Sequence, residues 1–133
     1  SYASPIMYHD DQRSLLITHG ADYVIAYNPD NGAEVWRCGG INPKATYNAT
    51  LRLVASPVAV PGLIVVPTAK GGPVLGLKPD GMGDITGNEA HLQWRLSRNT
   101  PDVPSPLIHD GLVYLCRESG NLIVLDAKTG EQH

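Results

Sequence analysis

Ser105-Pro106-Leu107-Ile108-His109-Asp110-Gly111-Leu112-Val113-Tyr114-Leu115-Cys116-Arg117-Glu118-Ser119-Gly120-Asn121-Leu122-Ile123-Val124-Leu125-Asp126-Ala127-Lys128-Thr129-Gly130 decides how this chain folds. Three apolar runs, 107–108, 112–116 and 122–125, are separated by turns at His109-Asp110-Gly111 and Glu118-Ser119-Gly120-Asn121. Lys128-Thr129-Gly130 closes the unit with a third turn. Short runs rich in Val, Ile, Leu and Tyr, bounded by Asp-Gly and Ser-Gly, read as a meander of antiparallel strands.

The composition agrees with many turns and short strands. Glycine and proline, 14 and 11 of 133 residues, make up about a fifth of the chain, against roughly 12% in an average globular protein. Charged residues are 17% and hydrophobic residues 42%, which excludes a disordered segment. A net charge of −3, with no basic run and no aromatic–basic interleaving, offers no nucleic-acid footprint. No apolar stretch reaches the ~18 residues of a membrane span, and helical periodicity is absent. The chain opens without Met or a signal-peptide pattern.

The unit recurs upstream. Ser4-Pro5-Ile6, Ser56-Pro57-Val58 and Ser105-Pro106-Leu107 each open a copy, 52 and then 49 residues apart. A period near fifty means an array or a propeller. The spacing predicts strands at 6–8, 14–18, 23–27 and 34–37 in the first unit, and at 58–60, 63–67, 74–77 and 92–96 in the second. Four short strands per unit is the content of one propeller blade.

Ala26-Tyr27-Asn28-Pro29-Asp30-Asn31-Gly32-Ala33-Glu34-Val35-Trp36 is similar to the repeat signature of the quinoprotein-like (PQQ-like) β-propeller family. Asp126-Ala127-Lys128-Thr129-Gly130 resembles the commonest core of that signature, and Asp110-Gly111-Leu112-Val113-Tyr114 resembles the start of its second strand. The second unit departs from the pattern. An insertion at 78–90 with Gly81, Gly83 and Gly87 precedes its Trp94-Arg95 ending, which matches Trp36-Arg37. The resemblance implies an all-β fold: a β-propeller fragment of about three four-stranded antiparallel blades, at about 4–37, 56–96 and 105–133. Gly32, Gly130 and the Asn positions are expected to supply positive φ in the turn before the outer strand. Asp126 belongs to the same turn, and Trp36 and Trp94 are expected to seal neighbouring blades. The third such Trp falls one residue past His133, so the third blade is expected to lack its outer strand. Three blades do not close a ring. The expectation is a fragment of a longer propeller, or copies that associate through open blade faces.

Chemistry is expected in the loops at one end of the blades. The candidate ligand-binding residues there are Asn42, Lys44, Lys70, Arg98, Asn99, Asp102, Arg117 and Glu118. The link 38–55 is long for a compact domain, and an Arg98–Asp102 pair is expected to pin the turn 98–102. Lys70-Gly71-Gly72 reads as a hairpin turn, since no helix follows it as in a P-loop. Cys38 is expected in a loop and Cys116 in a strand, both as free thiols. Neither they nor the scattered His9, His19, His91, His109 and His133 have metal-ligand spacing, and no catalytic residue is nominated. The resemblance implies a non-catalytic scaffold for a protein or peptide partner, or for further blades, as in the outer-membrane assembly lipoproteins, with a periplasmic or secreted setting. No cofactor is expected in this chain. The alternative is part of a quinone-dependent dehydrogenase or sugar-active propeller enzyme, holding pyrroloquinoline quinone with calcium through residues in absent blades.

Overall fold

In the computed structural model, residues 3–20, 22–41, 53–68, 72–97, 100–101 and 104–133 are described. Among these residues twelve strands fall into three sheets, of five, four and three strands. The first blade comprises β1 (Ile6–His9), β2 (Ser14–Gly20), β3 (Tyr23–Tyr27) and β4 (Glu34–Cys38). The second comprises β5 (Val58–Val60), β6 (Leu63–Val66), β7 (Val74–Leu77) and β9 (Leu92–Leu96). The third comprises β10 (Leu107–His109), β11 (Leu112–Cys116) and β12 (Leu122–Asp126). All successive pairings within a blade are antiparallel. The chain is an all-β propeller fragment.

Burial follows from blade order. Every residue of β6 and β7 is buried, because the second blade is covered on both faces. This is why Leu63-Ile64-Val65-Val66 is a continuous apolar run instead of an alternating one. In β3 and β11 buried and half-buried positions alternate, since only one face of each outer blade is covered. Two cores result. One joins Tyr8, Ile17, Val24 and Trp36 of the first blade to Ile64, Val66 and Leu77 of the second. The other joins Leu63, Val65 and Trp94 to Val113, Leu115 and Leu125 of the third.

Both tryptophans make the same junction with the following blade. Trp36 is fully buried and its indole N–H donates to the carbonyl of Pro79 at 3.2 Å. Trp94 donates to the carbonyl of Ala127 at 2.7 Å. Its ring passes so close to Gly76 that a Cβ there would sit 2.5 Å from Cε2. The receiving turn is built locally. Asp126 Oδ1 accepts from the N–H groups of Lys128 and Thr129, and Gly130 takes φ 71°. These amide donors hold the Asp126 carboxyl below its ordinary pKa.

Asn28 builds the equivalent turn by accepting the N–H of Asp30, and Asn31 accepts that of Ala33. The asparagines thus act through their side chains and not, as expected, through positive φ. Among the described residues the one non-glycine with positive φ is Asp110. Asx-turns explain this: the short side chain replaces a backbone acceptor without requiring positive φ.

The insertion adds a further strand to the edge of the first blade. Its β8 (Gly83–Asp84) leaves the second blade and pairs parallel with β4. Ile85 N–H donates to the Arg37 carbonyl at 2.8 Å, and Gly39 N–H donates to Thr86 Oγ1 at 2.6 Å. The first sheet therefore has five strands, and an otherwise exposed edge is covered. Ile85 is buried against this junction. Cys38 is the last residue of β4, not a loop residue, and is buried; Cys116 ends β11 and is exposed, and both are free thiols. On the third blade Gln132 bridges Leu125, and His133 N–H donates to the Val124 carbonyl, so both lie along the outer edge of β12.

The Ser-Pro openings form a chain of hydrogen bonds from blade to blade. Ser4 N–H donates to Ser56 Oγ at 2.8 Å, and Ser56 N–H to Ser105 Oγ at 2.9 Å. Ser105→Ala removes the second acceptor and is expected to cost about 0.5–1 kcal/mol, read by urea unfolding. Ser14→Ala, which loses only an exposed contact to His9, should cost less.

Candidate functional site

The sequence nominated eight residues for one end of the blades. Asn42, Lys44, Lys70, Arg98, Asn99 and Asp102 lie outside the described residues, as does the expected Arg98–Asp102 pair. Arg117 and Glu118 are placed together in the turn between β11 and β12. Arg117 N–H donates to the Asn121 carbonyl and its own carbonyl accepts from Gly120, both at 2.8 Å. Glu118 is exposed and Arg117 half-buried. The described part of this turn face is tied together by polar bonds. Thr68 donates its hydroxyl proton to Pro73 O and Thr100 donates to Gly72 O, each at 2.6 Å.

His19 belongs to the same end, although its sequence context does not set it apart from the other scattered histidines. It is 7% exposed, and its Nε2 donates across the blade seam to the Pro67 carbonyl at 3.0 Å. No motif marks it; only its place at the end of β2 puts it against the next blade. Burial pushes its pKa below the ordinary histidine value. The unfolded chain takes up that proton near pH ~6.5, before the folded one does. Stability is therefore expected to fall as pH drops through that value. Urea midpoints for the wild type and His19→Gln between pH 5 and 8 check this. The variant should show a flatter slope, whatever its absolute stability.

Other ionisable groups are engaged in turns and strand pairs. Tyr8 and the backbone N–H groups of Gln12 and Arg13 hold Asp10 low, in that turn's own hydrogen bonds. Thr86 does the same for Asp84, and His91 for Asp80, at 3.0 Å. Arg37 chelates Glu34 with two nitrogens and lies 4.8 Å above the Tyr23 ring. The Glu34 carboxylate raises the guanidinium's pKa.

Among the described residues two clefts open along the seams. Between the first and second blades the insertion roofs a cleft of about 260 Å³, floored by Leu75, Leu77 and Ile85 and walled by Cys38. Burial raises the Cys38 pKa, so its thiol is neutral at ordinary pH. Arg95 lines the same cleft and forms no ion pair among the described residues. Between the second and third blades lies a cleft of about 270 Å³, lined by Val60, Leu63, Gly111 and Ala127. It opens at the end opposite the Arg117–Glu118 turn. Neither cleft was legible in the sequence, because each is formed where two blades meet.

The two cysteines stand on different blades, and no group of three His, Cys, Asp or Glu side chains converges among the described residues. No helix among them is long and apolar enough to cross a membrane.

Blades joined by indole-to-turn contacts define a propeller of PQQ-like repeats. The family profile described as outer membrane protein assembly factor BamB matches residues 3–133. The chain belongs to that family. No curated protein matches it. Among solved structures it is similar to BamB from Moraxella catarrhalis, at TM-score 0.66 and 14% identity, over 98% of this chain and 36% of that one. It is similar as well to the quinohemoprotein alcohol dehydrogenase ADHIIG from Pseudomonas putida HK5, at TM-score 0.64 and 15% identity, over 98% of this chain and 19% of that one. The quinohemoprotein alcohol dehydrogenase from Comamonas testosteroni matches at 0.65 and 17%, over 98% of this chain and 20% of that one. The chain thus spans little more than a third of the first of these structures and about a fifth of the others. At such identities the likeness is one of fold.

Proposed function

We propose that this chain is a non-catalytic propeller module that holds a protein or peptide partner on its turn faces and blade seams. The observation behind this proposal is how the ionisable groups are used. Asp10, Asp84 and Asp126 accept hydrogen bonds from their own turns, and His19 bridges two blades. Arg117 and Glu118, with Asn42, Lys44, Lys70, Arg98, Asn99 and Asp102, form the proposed contact face. Membership of a family described as an assembly factor supports the same reading. Further blades of a longer propeller, or a second copy, are partners of the same kind, since the outer faces of the first and third blades are uncovered.

Selection of a random peptide library against the chain tests it. Enriched peptides should compete with one another and bind at least tenfold more weakly to the Arg117→Ala, Glu118→Ala double variant. Steady oxidation of an alcohol with added pyrroloquinoline quinone, calcium and an artificial electron acceptor would overturn the proposal in favour of a dehydrogenase.

A further inference from the structure

The two blade seams are built on one plan, and one position differs. Tyr8 lies four residues after Ser4, and Val60 lies four residues after Ser56. The Ser4–Ser56–Ser105 hydrogen bonds set the blades in that register. At the first seam Tyr8 is 1% exposed. Its hydroxyl accepts the N–H of Gly62 from the next blade at 2.8 Å and donates to Asp10 Oδ2 at 2.6 Å. At the second seam the phenol is missing. Val60 stands in its place, and Gly111 stands where Gly62 stood. The result is the cleft of about 270 Å³, with Val60, Leu63 and Ala127 supplying apolar walls and Gly111 at the rim. The Gly111 N–H makes no hydrogen bond among the described residues.

We propose that this cleft binds the side chain of a tyrosine carried by a partner polypeptide. The ring fills the space that Tyr8 fills at the neighbouring seam, and its oxygen accepts the Gly111 N–H as Tyr8 accepts that of Gly62. Apolar walls with an unpartnered backbone donor at the rim, beside the polar Gln93 and Lys128, favour a hydroxylated ring over a plain one. The cleft is near the lower limit of small-ligand sites, a size suited to one anchoring side chain of the kind that dominates protein interfaces. It opens beside the Pro61-Gly62 and Asp110-Gly111 turns, both exposed, so a ring carried on another chain can reach it. The inference rests on the scaffold proposal above and names the chemistry of its contact.

The test is an amide NMR titration of the 15N-labelled full chain with three probes: acetyl-Gly-Tyr-Gly-amide, its Phe counterpart and free 4-methylphenol. Expected are saturable shifts at Gly111, Val60 and Ala127, with the Tyr peptide several-fold tighter than the Phe peptide. Val60→Tyr should fill the cleft from within and weaken peptide binding at least tenfold. Should that variant fail to fold, Val60→Leu replaces it and should weaken binding in the same direction. Equal affinity for Tyr and Phe peptides overturns the proposal, as does binding that survives the cleft-filling variant or the absence of shifts. Binding of 4-methylphenol more tightly than the Tyr peptide would make this a small-molecule site and overturn the polypeptide source. A negative result here, with library peptides still lost on changing Arg117 and Glu118, leaves the scaffold proposal standing and removes only this contact.

Discussion

Trp94→Ala is expected to lower the unfolding free energy by about 3–5 kcal/mol, as measured by urea denaturation. The indole is 6% exposed and lies in the core shared by the second and third blades. Truncation leaves a cavity lined by Gly76 and Gly130, which carry no side chain to move into it. It also strands the Ala127 carbonyl, which now accepts the indole N–H at 2.7 Å. Trp94→Phe separates these effects, since it keeps much of the packing and loses the hydrogen bond. It should therefore fall between wild type and Trp94→Ala. Equal losses for the two variants would assign the whole effect to the hydrogen bond. A loss under 1 kcal/mol in Trp94→Ala would mean that the blades are not joined through this ring.

Gly130→Ala is expected to cost about 2–5 kcal/mol. Two penalties coincide there. The residue has φ 71°, where an L side chain is strained. Its new Cβ would also meet Trp94 Cβ at 2.7 Å, an atom bonded directly to the β9 backbone. Gly120→Ala isolates the first penalty. It has φ 87° and nothing within 4 Å of the added carbon, so about 1–2 kcal/mol is expected. A cost at Gly130 no larger than at Gly120 would show that the indole does not press on the turn.

Much of the fold is written locally. Each strand of the third unit was bounded by its own turn residues, and the observed β10, β11 and β12 follow the three apolar runs to within a residue. The continuous run Leu63-Ile64-Val65-Val66 reported a strand buried on both faces, which is a statement about the second blade's place between two others. The insertion was different. Its glycines announced a break in the repeat, yet nothing in 78–90 states that Gly83-Asp84 will cross to β4 of the preceding blade. Two strand residues have too little periodicity to declare themselves, and their partner lies more than forty positions away.

The candidate site divides in the same way. Arg117 and Glu118 were found because charged residues between apolar runs mark a turn. His19 escaped, since a buried histidine that spans a seam leaves no sequence pattern. The sequence by itself determined the repeat, the strands, the turns that carry Asp126 and Gly130, and the tryptophans that seal the blades, because these depend on side-chain periodicity and on a few residues in contact along the chain. Only the tertiary structure decided which edge the insertion covers, which histidine is desolvated, and that Val60 leaves open the space that Tyr8 closes. Those properties belong to the gap between two blades, and a gap is set by the residues on both of its sides at once.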